Sequence, residues 1–295
     1  MPMKMTSTKK YKEYLQLKKI PSPKELENYY KNIYFQQTKG AYQKKYSSDE
    51  VKYIINNLGI ISIAAERVLR MPFTNKLFLD LGAGEGWALK HFHSIGCKVT
   101  GVDISGFAVK KFNKAFLKCF IEADLKKFIS KAIKEKSKFD IINLTNVIEH
   151  VFEPESLLLS IKKILNKDGL LLITFPNDFS PLHQLLLKSN KIRNPFWVVS
   201  PDHISYFNKK SFSKLSKRIG FQPVQFLADF PIDLFLLNDY SNYIIDKSKG
   251  KQAHFSRIDF INLICKLDKQ ASVDFLLKLG EIGIGRNLTA YLKLK

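Results

Sequence analysis

The chain has 295 residues, 45% of them hydrophobic, which suffices for one large or two small domains with a sizeable core. No apolar run approaches the ~20 residues of a membrane span. The net charge of +21 admits nucleic acid, an anionic membrane surface or an anionic substrate as partner. Against the first, the only arginines are Arg67, Arg70, Arg193, Arg218, Arg257 and Arg286, the lysines are scattered, and phosphate and base recognition favours the arginine fork. A lysine-rich solvated surface is the plain reading. Cys97, Cys119 and Cys265 show no CxxC spacing and the amino terminus shows no signal-peptide core, so reduced thiols in a cytoplasmic protein are expected.

Residues 1–73 read as a mostly helical amino-terminal extension. Ser22 with Pro23 and Glu25 is a helix-start signal, and "SSDEVKYIINNLGIISIAAERVLR" carries apolar residues at helical spacing. Tyr29, Tyr30, Tyr34, Phe35, Tyr42 and Tyr46 form an aromatic group, read as helix packing or as a lid.

From Lys76 strand and helix signals alternate. Strands are predicted at 76–79, 98–102, 119–122, 139–144 and 170–175, with helices at 105–116, 125–136 and 155–165 between the later ones. A helix over 211–219, a strand near 223–227 and a final strand at 288–294 follow. Such alternation implies parallel strands joined by right-handed helical crossovers. The expected organisation is an α/β core over 74–228, a helical insert over 229–286 placed to cover a substrate, and a last strand over 287–295.

The chemistry concentrates at strand ends. "LDLGAGEGW" turns through Gly82, Gly84 and Gly86 just after Asp80, and Trp87 opens the next helix. Glycines there let backbone N–H groups approach a ligand. The spacing G-x-G-x-G differs from the dinucleotide fingerprint G-x-G-x-x-G, which argues against a nicotinamide cofactor. Asp103 lies nineteen positions after Gly84, where an acid can accept both ribose hydroxyls. Asp124 ends the third strand and can receive an exocyclic amine. Each acid alone can equally be a helix cap.

Together "LDLGAGEGW" (79–87), "GVDIS" (101–105), "EADL" (122–125), "FDIINLTNVIEHV" (139–151) and "KDGLLLITFPN" (167–177) resemble the class I S-adenosylmethionine-dependent methyltransferases. The resemblance implies a Rossmann-like seven-stranded, mostly parallel sheet with helices on both faces and an antiparallel last strand. It implies S-adenosylmethionine as cofactor and S-adenosylhomocysteine as product. Asp80, Gly82, Gly84, Gly86, Trp87, Asp103, Ile104, Asp124, Leu125 and Asn146 would hold the cofactor. Residues 176–286 further resemble a bacterial methyltransferase group associated with surface-polysaccharide biosynthesis. That likeness implies O-methylation of a sugar, nucleotide-sugar or phosphorylated glycan precursor.

His150 ends the fourth strand and is the expected general base, with His203 in "SPDHISYF" in reserve; the bland alternative for each is a structural imidazole. Glu149, Asn177 and His183 are expected on the substrate side, with Asp178 beside them. No His/Cys/Asp group has metal-ligand spacing along the chain, and methyl transfer from a sulfonium needs no metal. An RNA or protein methyltransferase, and a non-catalytic cofactor-binding scaffold, are the competing readings.

Overall fold

The computed structural model describes residues 8–22, Glu25 and residues 45–295. A central sheet of seven strands is formed by β3 (Leu77–Leu81), β4 (Lys98–Asp103), β5 (Phe120–Glu122), β6 (Phe139–Thr145), β7 (Leu165–Pro176), β9 (Phe221–Ala228) and β10 (Asn287–Leu294). Their order is β5-β4-β3-β6-β7-β10-β9. β3 to β7 run parallel, and β10 is antiparallel to both β7 and β9. This is the expected Rossmann-like sheet with its reversed last strand.

Strand side chains alternate between faces, and the sequence supplies apolar residues in both registers. Leu79, Leu81, Ile142, Leu144 and Ile173 face one side, with α4 (Leu125–Lys134), α5 (Pro154–Lys162) and α7 (Lys209–Arg218) over them. Phe78, Ile141, Leu172, Leu227 and Tyr291 face the other, with α1 (Ser48–Leu69), α2 (Trp87–Ser94), α8 (Lys249–Leu267) and α9 (Lys269–Ile282) over them. The remaining helices are the short α3 (Phe107–Phe112) and α6 (Pro181–Lys188). The long insert is therefore no free flap. Ile261 of α8 and Val273 and Leu276 of α9 are buried in the α1-side core.

The helical extension expected before residue 73 holds for α1, which Ser47 and Glu50 start with a capping box. It does not hold over residues 8–17. There β1 (Thr8–Tyr11) and β2 (Tyr14–Leu17) make a hairpin, and β2 pairs antiparallel with β8 (Ser205–Tyr206). The distant β8 completes this sheet: Tyr14, Gln16 and Leu17 of β2 are buried, while β1 is largely exposed. Tyr29, Tyr30, Tyr34, Phe35 and Tyr42 lie outside the described residues. No helix among the described residues is long and apolar enough to cross a membrane.

The hairpin is also tied by charge. Arg218 on α7 forks onto Glu13 (2.6 and 3.1 Å) and Glu155 (2.7 and 3.1 Å), and Lys12 reaches Glu155 at 2.6 Å. The Arg218 and Lys12 hydrogen bonds hold the Glu155 carboxyl far below the usual glutamate range, at about 2. Such a depressed group adds stability at pH values above the ordinary glutamate pKa and loses it as pH falls toward its own. These groups are partly solvent-exposed, so screening limits the effect to about 1 kcal/mol or less. Arg218→Ala is thus expected to speed amide exchange in Tyr14–Leu17 while leaving global unfolding nearly unchanged. In the wild type the same amides should lose protection as pH drops below the ordinary glutamate range. Unaltered exchange in the variant would show that β8 pairing alone holds the hairpin.

Candidate active site

The parallel strands place their carboxyl ends along one edge, and the glycine turn occupies that edge between β3 and α2. Gly82, Gly84 and Gly86 all have positive φ (83°, 48° and 76°), a conformation that L side chains rarely adopt. At Gly82 and Gly86 space forbids a side chain as well. A Cβ on Gly82 would stand 2.4 Å from Val147 Cγ2, and one on Gly86 2.9 Å from Val109 Cγ2.

Asp103 ties this turn to the end of β4. Its Oδ2 accepts from the Gly84 N–H at 2.8 Å, and its Oδ1 faces the Ser105 N–H at 3.4 Å. Burial raises its pKa, against those hydrogen bonds. Asp80, 3% exposed, accepts from Asn143 Nδ2 at 2.7 Å. Burial pushes its carboxyl up to about 7, opposed by that bond.

A cavity of about 510 Å³ opens above the turn. Of the residues expected to hold the cofactor, Asp80, Gly82, Gly84, Trp87 and Asn146 line it. Gly86 caps α2 from beneath. Ile104, 62% exposed, and the exposed Asp124 lie along the sheet edge beyond it, as does the half-buried Leu125. The Asp124 side chain accepts from Lys127 N–H at 3.0 Å, which is the helix-cap role weighed against amine recognition. Glu85, inside the turn, accepts from Tyr46 Oη at 2.9 Å and Trp87 Nε1 at 2.7 Å, so Tyr46, two residues before α1, closes one wall.

The rest of the lining comes from residues the sequence reading passed over. Tyr53, Ile54, Asn57, Leu58 and Ile61 of α1 make a mostly apolar wall, while Thr174, Asp229, Asn287 and Thr289 make a polar floor. Asp229 carried a legible signal, an acid one residue past a strand that ends at the same edge, but it stood at the start of the presumed lid. Its two oxygens accept from the Asn287 N–H and Asn287 Nδ2, each at 2.7 Å. Burial pushes its carboxyl up to about 6 against these bonds. Among the described residues no lysine or arginine lines the cavity.

The expected base lies elsewhere. His150 and His203 are absent from this lining; their rings meet edge to face with centroids 5.0 Å apart. His150 Nδ1 is 2.9 Å from the Asp202 carbonyl oxygen and 3.1 Å from Asp202 Oδ1. Burial opposes its charge, but the Asp202 bond and the Glu149 and Asp202 charges prevail and hold its pKa up at about 9. The imidazole thus carries its proton at neutral pH, the reverse of a waiting base. Burial and the neighbouring His150 charge push His203 down to about 4.

Two residues expected on the substrate side are engaged within the protein. Asn177 Nδ2 donates to the Gly283 and Gly285 carbonyls at 2.9 and 3.1 Å. His183 stacks on Trp197 (3.8 Å) and bonds Asp233 Oδ2 through Nε2 at 2.8 Å. Glu149 is buried beside His150, and Asp178 is buried with its carboxyl pushed up to about 8. Glu149, His150 and His203, unreadable as a ligand set along the chain, do stand together in space.

A family model described as a methyltransferase domain matches residues 60–226. The ubiquinone biosynthesis O-methyltransferase of Glaesserella parasuis serovar 5 is 32% identical over 127 residues, 39% of this chain and 52% of that protein. The protein of the same name from Pelagibacter ubique is 30% identical over 181 residues, 58% of this chain and 74% of that protein. The chain therefore spans about half the length of the first relative. Among solved structures, the plantazolicin methyltransferase BpumL in complex with a monoazolic desmethylPZN analog and SAH is similar in fold. Its TM-score is 0.50 at 17% identity, covering 83% of this chain and 85% of that one.

Calorimetry with S-adenosylhomocysteine checks the assignment of the turn. Asp103→Ala is expected to weaken binding by about 1.5–3 kcal/mol, the scale of hydrogen bonds to a charged group. Gly82→Ala, which both strains the backbone and collides with Val147, is expected to weaken it further. Wild-type affinity in both variants would place the cofactor elsewhere.

Proposed function

The chain belongs to the methyltransferase-domain family and is an S-adenosylmethionine-dependent methyltransferase, and on that premise we propose that its acceptor is a small molecule bearing a hydroxyl. The carrying observation is the cavity, which joins the glycine turn to a floor of Thr174, Asp229, Asn287 and Thr289 with one apolar wall from α1. Such a lining suits a ring with hydroxyls on its edge and an apolar face. A sugar or glycan precursor fits, as the polysaccharide-group likeness implies. A hydroxylated aromatic ring fits too, and the relatives named for ubiquinone biosynthesis favour it as the second reading. Among the described residues the lining holds Asp80, Glu85 and Asp229 and no basic residue, which favours an uncharged reacting portion with any phosphate on the acceptor outside it.

Transfer is an in-line displacement at an already activated sulfonium. The protein must hold the acceptor oxygen opposite the methyl, exclude water and take a proton. In this reading the glycine turn and Asp103 hold the cofactor, and Tyr46 with Glu85 and Trp87 shuts out water. Asp229 receives the acceptor's proton: it reaches the cavity, and each of its oxygens keeps lone-pair capacity beyond the Asn287 bond. Leu276 and Asp229 both come from residues 229–286, so this stretch shapes specificity from within the packed fold.

S-adenosylhomocysteine release, measured over hydroxylated aromatics, nucleotide sugars and RNA, tests the acceptor class. Turnover on RNA alone at physiological ionic strength would favour the macromolecular alternative that the +21 charge suggests. Turnover on no acceptor, with tight cofactor binding, would favour a scaffold.

Asp229→Ala should slow single-turnover methyl transfer about 10²–10⁴-fold with cofactor affinity nearly unchanged. The carboxylate must be deprotonated to act, so the wild-type rate should rise with pH through about 6 and then level. A wild-type rate in Asp229→Ala would move the proton to another group or to solvent.

A further inference from the structure

Glu149, His150 and His203 take no part in the reading above, yet they form the tightest group of ligating side chains among the described residues. One donor atom from each lies within 4.8 Å of the other two. Glu149 is 1% exposed, and its Oε2 has no hydrogen-bond partner among the described residues. His203 Nδ1 is likewise buried without a partner. Buried polar atoms are almost always satisfied, so two unsatisfied atoms on side chains from different segments of the chain, meeting in one place, call for a shared ligand.

The third member is oriented as a ligand. Nδ1 of His150 is held against Asp202 O and Oδ1 at 2.9 and 3.1 Å, so a cation that displaces the ring's second proton is met by Nε2. That nitrogen stands 3.6 Å from Glu149 Oε1. A carboxylate or carbonyl gripping the far nitrogen is how metal-bound imidazoles are normally fixed. The backbone holds the two segments in register, because the Glu149 carbonyl accepts from both Ile204 N–H (2.8 Å) and Ser205 N–H (3.0 Å). Solvent reaches the group past His150 and Asp202, whose side chains are 17% and 15% exposed.

We propose that Glu149, His150 and His203 bind a divalent transition-metal cation of the Zn²⁺, Co²⁺ or Mn²⁺ type. Two imidazoles and one carboxylate suit these ions better than Mg²⁺ or Ca²⁺, which prefer all-oxygen shells. Donors around a tetrahedral ion stand roughly 3.4 Å apart for bonds near 2.0–2.1 Å, so small side-chain rotations complete the shell and water fills the fourth position. Asn146 and Val147, from the same turn as Glu149, line the cavity, which puts the ion in the wall beside the acceptor.

Metal-freed wild-type protein titrated with Co²⁺ should develop visible d–d absorption that saturates at one equivalent and is displaced by Zn²⁺. Glu149→Gln and His203→Ala should each weaken Co²⁺ binding about 10–100-fold. His93→Ala, which removes an exposed histidine of α2, should leave it unchanged. S-adenosylhomocysteine binding and thermal unfolding establish that each variant is folded. No saturable absorption with the wild type, or wild-type affinity in both ligand variants, overturns the proposal. Should either variant fail to fold, the wild type's melting temperature decides: a rise with stoichiometric Zn²⁺ supports the site and no rise overturns it. The readout is metal binding, so its failure leaves the methyl-transfer reading untouched.

Discussion

A single hydrogen bond organises the cofactor end of this protein: the Gly84 N–H donating to Asp103 Oδ2 at 2.8 Å. It joins the turn after β3 to the end of β4, adjacent parallel strands whose carboxyl ends share one edge. The Gly82 and Ala83 N–H groups reinforce it by donating to the Val102 carbonyl at 2.8 and 3.1 Å. Everything at the site is positioned from there. With the turn fixed, Val147 packs where a Gly82 side chain would stand, Glu85 is presented to Tyr46 and Trp87, and the cavity floor falls to the ends of β7, β9 and β10. Asp103 therefore serves the fold before it serves a ligand. Removing it costs the geometry of the turn as well as any ribose contact.

The sheet was legible because its information is local. β3, β6 and the second half of β7 are apolar runs that both faces bury, and β3, β4 and β5 end at or near a glycine or an acid that marks the edge. The glycine turn was legible for the same reason, since positive φ writes itself as glycine. The hairpin over 8–17 was not. "TKKYKEYLQL" becomes a strand pair by meeting Ser205 and Tyr206, nearly two hundred residues away, and no local pattern reports that partner. The cavity floor failed similarly. Asp229 and Asn287 adjoin because β9 and β10 are neighbours in the sheet, although 58 positions part them in the chain.

Histidines illustrate the limit in another way. From sequence, His150 at the end of the fourth strand has the position of a base. Position along a strand does not determine direction, however. Asn146 and Val147 reach the cavity, whereas Glu149 and His150, only a few positions on, turn beneath the 196–206 segment and its β1–β2 cover. The raised proton affinity of His150 is a response to the Asp202 hydrogen bond and to the charges of Glu149, which is buried, and Asp202, which is partly exposed. Proton affinity there reflects the company of acids, and it separates the group from the acid–base work of the cavity.

Charge divides the molecule into two regimes. The +21 net charge comes mostly from lysines, while among the described residues the cavity is lined by three carboxyls and no basic side chain. Field lines from the surface attract anions to the molecule at long range, but within the cavity desolvation dominates, and burial raises the pKa of Asp80, Glu85 and Asp229 alike. The two regimes act on different parts of a ligand. In the proposed reading the cofactor's positive sulfonium sits among these carboxyls, which would stabilise the bound reactant and do so less as the charge leaves with the methyl group. Catalysis in such a site cannot rest on electrostatic stabilisation of the sulfonium. It has to come from alignment and from withdrawal of the acceptor's proton, and an acid raised toward neutrality by burial is suited to that second task.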